Sequence, residues 1–81
     1  MTQAELKERL RRERIDPRVY DLDGIGSDEA YCLERTPDGW LFYYRERGHR
    51  NFEHLFSSES EANEFFLKEV LQDPTTREVG A

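Results

Sequence analysis

Glu46 and His49 stand three positions apart in a run that also holds Arg45, Arg47 and Arg50. A carboxylate and an imidazole so placed could act as base and acid on a phosphodiester, with the arginines holding phosphate. His54, Glu53 and Cys32 are the other side chains from which a reactive site could be assembled. None stands in a nucleophile or metal motif: there is no His-Glu-x-x-His helix, no Gly-x-Ser-x-Gly turn and no second cysteine. His49 follows Gly48 and adjoins Arg50, the setting of a solvated turn histidine. His54 alternates with Phe52 and Phe56, the setting of a histidine partly buried in a core. Cys32 lies in an alternating segment, where cysteine usually serves as a small apolar filler. The expectation is a chain with no catalytic residue and no enzymatic activity.

Two further patterns invite a ligand. Gly24-x-Gly26 could open a phosphate cradle, but it has neither a third glycine nor a following lysine. Asp21, Asp23 and Asp28 are oxygen donors, yet their spacing is not that of a helix-loop-helix calcium site. No metal and no cofactor are expected. Leu41, Tyr43 and Arg45 would share one face of a strand, and exposed aromatics beside arginine can stack on single-stranded RNA. The aspartates around Tyr20 and Ala30 oppose that use. Nucleic acid is therefore the alternative and not the leading partner.

The elements that must position these residues are legible from spacing. Thr2-Gln3-Ala4-Glu5 fits a capping box, Leu6 and Leu10 make a narrow apolar stripe, and Asp16-Pro17 stops the first helix. Val19-Tyr20-Asp21-Leu22 alternates as a short edge strand, and Glu29 to Arg35 as a second strand. Thr36-Pro37-Asp38-Gly39 is a hairpin turn leading into Trp40-Leu41-Phe42-Tyr43-Tyr44, which is apolar on both faces and so belongs in the middle of a sheet. Gly48 marks a second turn. Phe52, His54 and Phe56 then share one face of a further strand, with Leu55 on the other. Ser58-Glu59-Ser60-Glu61 fits another capping box. The helix it opens runs to about Gln72, with Ala62, Phe65, Phe66 and Val70 as its core face and Leu67 and Leu71 turned toward the first helix. The expected fold is α+β: an N-terminal helix, a three- to four-stranded antiparallel meander and a C-terminal helix, both helices on one face. It forms a single domain over residues 1–74, with 75–81 as a frayed tail.

Composition bounds the rest. At 81 residues the chain can bury only roughly 60–65% of its unfolded surface, so its core is small. Charged residues make up 37%, but one Trp, four Tyr and five Phe fall in periodic segments, which favours a folded domain. The net charge of -6 is concentrated between residues 16 and 34 and again beyond Ser57, which points to a basic partner. A single cysteine fits a reducing compartment, and no apolar run approaches the ~20 residues of a membrane span. Met1 is followed by a charged amphipathic segment, so a cytoplasmic location is expected.

Trp40-x-x-Tyr43-Tyr44-x-Glu46-Arg47-Gly48, followed by Phe56-x-Ser58-Glu59-x-Glu61-Ala62 at the opening of the last helix, resembles the pattern of small immunity proteins of bacterial polymorphic toxin systems. Ile15, Tyr20-x-Leu22 and Glu29 to Leu33 are similar to that family's opening. The resemblance implies a protein that binds and neutralises a cognate toxin domain without chemistry of its own. Where such a toxin is a nuclease with a basic cleft, an acidic surface would speed encounter and imitate phosphate. The expected contact residues are Asp21, Asp23, Asp28 and Glu29, with Tyr20 and Tyr43 as aromatic anchors. A domain that dimerises through the same sheet face is the third reading.

Overall fold

The computed structural model describes residues 1–23 and 29–78. Helix α1 spans Gln3–Arg12, strand β1 Tyr20–Asp21, β2 Ala30–Thr36, β3 Gly39–Glu46, β4 His49–Phe56 and helix α2 Glu59–Gln72. The fold is α+β, with a four-stranded sheet in the order β1-β2-β3-β4. Both helices contribute to one core on one face of that sheet: Leu6 and Leu10 from α1 and Ala62, Phe66, Leu67 and Val70 from α2 meet Leu33 and Phe42.

The first helix starts as its sequence dictates. The Glu5 amide donates to the Thr2 hydroxyl at 3.2 Å, and the Glu5 carboxylate accepts from the Thr2 amide at 2.8 Å. It stops before the Asp-Pro signal, at Arg12, because Arg14 enters the left-handed region with φ +59° and the Ile15 amide closes back on the Leu10 carbonyl at 3.0 Å. Asp16 and Pro17 instead cap and open a short 3-10 turn, Pro17–Val19, that delivers the chain to β1. In α2 the Ser58 hydroxyl accepts from the Glu61 amide at 3.3 Å, the first half of the expected box. The Glu59 carboxylate accepts from the Gln3 amide at 3.2 Å and so ties the two helix starts together.

The sheet departs from a pure meander at β1, which pairs with β2 in parallel, Tyr20 opposite Tyr31 and Asp21 opposite Cys32. A parallel connection normally needs a long crossover, but β1 is two residues long. The connection has only about 7 Å of strand to retrace. The β2–β3 hairpin closes between Thr36 and Gly39 as expected. The β3–β4 hairpin is equally tight: Arg47 and Gly48 have φ +50° and +78° between the paired Glu46 and His49, the type I′ arrangement whose twist suits a hairpin. Within β3–β4 the register slips between Phe42 and Tyr44, so that Tyr43 faces both Phe52 and Glu53 across a bulge. Phe52 takes up the bulge with φ +58° and is 78% exposed.

Phe42 is the centre of the core. Its ring meets Phe65 edge-on at 5.0 Å and Phe66 at 6.0 Å. Leu67 is buried and Leu71 half-buried beside the α1 side of α2, as the wide apolar arc of that helix requires. Asn63 is buried between the helices, where its amide donates to the Met1 carbonyl at 2.8 Å.

The tail expected to fray is tied down over its first residues. Thr76 is buried, its hydroxyl shared between the carbonyls of Val70 at 2.9 Å and Asp73 at 2.8 Å. The Asp16 amide donates to the Thr76 carbonyl and the Glu78 amide to the Arg14 carbonyl, an antiparallel bridge of Ile15 with Arg77. A segment poor in apolar residues is held by backbone pairing, which composition does not reveal. Residues 79–81 lie outside the described chain.

Candidate functional site

The face of the sheet away from the helices carries Ala30, Cys32 and Tyr43 as a small buried cluster flanked by Leu41. It is sealed by charged side chains. Arg45 donates to the Asp21 carboxylate at 3.1 Å, and both side chains are largely withdrawn from water, 18% and 4% exposed. The Tyr43 hydroxyl donates to Glu34 at 3.0 Å, Arg50 approaches Glu34 at 3.5 Å, and the Arg50 guanidinium lies 4.6 Å above the Tyr43 ring. Contact with Tyr43 and Asp21 raises the Arg45 pKa further, keeping it charged, while burial pushes up the Tyr43 hydroxyl and the Cys32 thiol. A cysteine so placed is a poor nucleophile at neutral pH.

This network redistributes the residues expected to meet a partner. Asp21 is an internal ion-pair member, not part of an exposed acidic surface, and also accepts from the Asp23 amide at 3.0 Å. Tyr43 is 3% exposed and offers no free ring in the isolated chain. Tyr20 is half-buried against the main core. Asp23 is exposed and reaches Lys7 at 3.4 Å. Glu29 is exposed, in the left-handed region with φ +62°. Asp28 lies outside the described residues, as do Gly24 and Gly26. Among the described residues of this set, Asp21 and Tyr43 are internal, Tyr20 is half-buried, and Asp23 and Glu29 are exposed.

Of the residues weighed for chemistry, one pair is brought together. Glu46 and His49 face each other across the exposed β3–β4 turn. His54, whose alternation with Phe52 and Phe56 predicts partial burial, is instead exposed, because β4 is an edge strand and the His54 ring only borders those of Phe42, Phe56 and Phe65. Among the described residues no three His, Cys, Asp or Glu side chains converge as metal ligands, and no helix is long and apolar enough to cross a membrane.

A different constellation forms on the helix side of the sheet. Tyr31 from β2, Phe42 and Tyr44 from β3, Phe52 from β4 and Glu69 and Asp73 from the end of α2 line a groove of about 370 Å³. Tyr31 and Tyr44 meet edge-to-face at 4.9 Å. The Tyr31 hydroxyl donates to Asp73 at 2.9 Å, and the Thr75 amide and hydroxyl donate to the other Asp73 oxygen at 2.9 and 2.6 Å. The Thr75 bonds hold the Asp73 carboxyl below its ordinary range, so it is ionised at neutral pH. Burial, and then the bond to Asp73, push the Tyr31 hydroxyl up. Burial followed by the carboxylates of Glu29, Glu46 and Asp73 does the same for Tyr44. The groove is aromatic in its walls and negative in its field.

The alternation of Phe52, His54 and Phe56 predicts Phe52 on the core side of β4, where an ordinary strand residue would be covered. The bulge leaves it at the surface. Glu69 and Asp73 are one helical turn apart and the tyrosines share a sheet face, signals that were present but that gain meaning only once α2 is laid across β2–β4. Comparison with protein-family models, curated proteins and solved structures finds no match for this chain.

Proposed function

We propose that this chain is a non-catalytic inhibitor of the immunity or antitoxin type, which binds a cognate toxin domain through that domain's basic surface and neutralises it by occlusion. The observation that carries the reading is the acidic aromatic groove beside an exposed, conformationally costly Phe52 on a chain of net charge -6. A largely exposed aromatic with φ +58° carries a conformational cost and little burial in the free protein, whereas at an interface it is the kind of anchor that dominates binding. The similarity of the Trp40–Gly48 run to small immunity proteins supports the same class. The lone cysteine supports action in a reducing cytoplasm.

The RNA-binding alternative loses its platform, because Tyr43 is covered by Arg50 and Arg45 is paired with Asp21. Dimerisation has one feature in its favour: β4 is an edge strand with Leu55 56% exposed. Co-expression with the product of each adjacent gene, followed by chromatography with mass detection and a toxicity assay, separates these readings. A stoichiometric complex that abolishes toxicity is expected. A concentration-dependent homodimer with no such complex would replace the inhibitor reading with that of a dimerising adaptor domain.

A further inference from the structure

We infer that the groove between β2–β4 and the end of α2 is a receptor for an arginine side chain of a basic protein partner. The existence of that partner rests on the reading above, but the groove's chemistry stands on its own geometry.

Two carboxylates, Glu69 and Asp73, line the groove, and no basic residue does. Asp73 accepts three hydrogen bonds, from the Tyr31 hydroxyl and from the Thr75 amide and hydroxyl, and keeps its charge and acceptor capacity for a further donor. Glu69 makes no ion pair among the described residues, so its charge is available to a ligand. Glu29 and Glu46 add to the field at Tyr44. An anion is excluded by charge, and a neutral apolar group would bury carboxylates without compensation.

The walls distinguish the cation. Tyr31, Tyr44 and Phe52 present ring surface, on which a planar guanidinium stacks better than a strongly hydrated ammonium. Glu69 on the last turn of α2 and Asp73 at its C-cap line the same groove and place two carboxylates where a forked guanidinium can meet them. Phe52 lines the groove from β4 and is otherwise exposed. A bulge that served only to blunt the sheet edge would work with a polar residue at this position, and the phenylalanine is accounted for by a ligand it covers.

The test titrates N-acetyl-arginine methylamide into the isotope-labelled full chain at fixed ionic strength, with the citrulline analogue as neutral isostere and N-acetyl-lysine methylamide as the competing cation. Saturable amide shifts are expected at Tyr31, Tyr44, Phe52 and Glu69, larger for arginine than lysine and absent for citrulline. Glu69→Gln and Phe52→Ala, both outside the buried core, should each weaken the arginine response about threefold or more. Equal response to citrulline, unchanged affinity in both variants, or shifts spread over remote carboxylates such as Glu8 and Glu61 would overturn the assignment. Because the probe needs no partner, a failed titration beside an intact neighbour complex would remove the groove alone. A successful titration without any complex would remove the inhibitor reading alone.

Discussion

Arg45 on the central strand and Asp21 on the first strand form an ion pair at 3.1 Å that is largely withdrawn from solvent. It links the parallel edge of the sheet to its middle and lies beside the Tyr43 hydroxyl, so that strand pairing, charge compensation and aromatic burial depend on one another.

Removing one member of such a pair leaves the other buried and uncompensated. Asp21→Asn is expected to lower unfolding free energy by about 3 kcal/mol. Asp23→Asn, which loses only an exposed contact to Lys7, should cost less than about 1 kcal/mol. Urea unfolding of the two variants gives the comparison; similar small losses would show that the Arg45 pair contributes little. Charge reversal at Asp21 is consequently a test of folding, and reversal at Asp23 is the cleaner probe of association rate.

The two turn glycines differ in what a methyl group would meet. A Cβ on Gly39, at φ +140°, collides with the Phe56 carbonyl on the neighbouring strand. One on Gly48, at φ +78°, meets nothing. Gly39→Ala should therefore destabilise by about 2 kcal/mol or more and Gly48→Ala by about 1 kcal/mol, from backbone strain alone. Thermal unfolding of both variants would expose an error in this ordering.

Phe52 offers a separation of stability from binding. Phe52→Asn places a residue that tolerates the left-handed region at φ +58° and gives up little burial, so stability should be unchanged or rise by up to about 1 kcal/mol. Affinity for the arginine probe and for a protein partner should fall. A loss of stability beyond about 1 kcal/mol would instead mark Phe52 as a core contact.

The pH profile follows from shifts of opposite sign. Asp73 is held below its unfolded value by Thr75, so its contribution is present above about pH 4 and is lost as pH falls through the folded pKa. Tyr31, Tyr43 and Tyr44 are raised, chiefly by burial, so their contribution is present below about pH 10 and is lost as pH rises through their folded values. Urea midpoints should be flat between these limits and decline on both sides. Tyrosinate absorbance near pH 11 should be lower in the folded protein than in the denatured one; identical titrations would contradict the burial of these hydroxyls.

Much of the fold is legible without coordinates. Thr2 with Glu5 and the Thr36–Gly39 turn act through interactions between residues a few positions apart, and the alternation of Trp40 to Tyr44 follows from strand geometry alone. Those local rules determine the helices, the three long strands and the α+β class. They also mark the chain as acidic and rich in aromatics. They do not say which acidic residue is spent internally. Asp21 and Arg45 are 24 positions apart, Tyr31 and Asp73 are 42 apart, and Ile15 meets Arg77 across nearly the whole chain. Burial of Tyr43, docking of Thr76, the parallel direction of β1 and the groove beneath Phe52 arise only when segments remote in sequence are packed together. Desolvation and ion pairing depend on that three-dimensional neighbourhood and not on residue type, which is why Asp21 is internal rather than exposed while Tyr31, Tyr44, Phe52, Glu69 and Asp73 line a common groove.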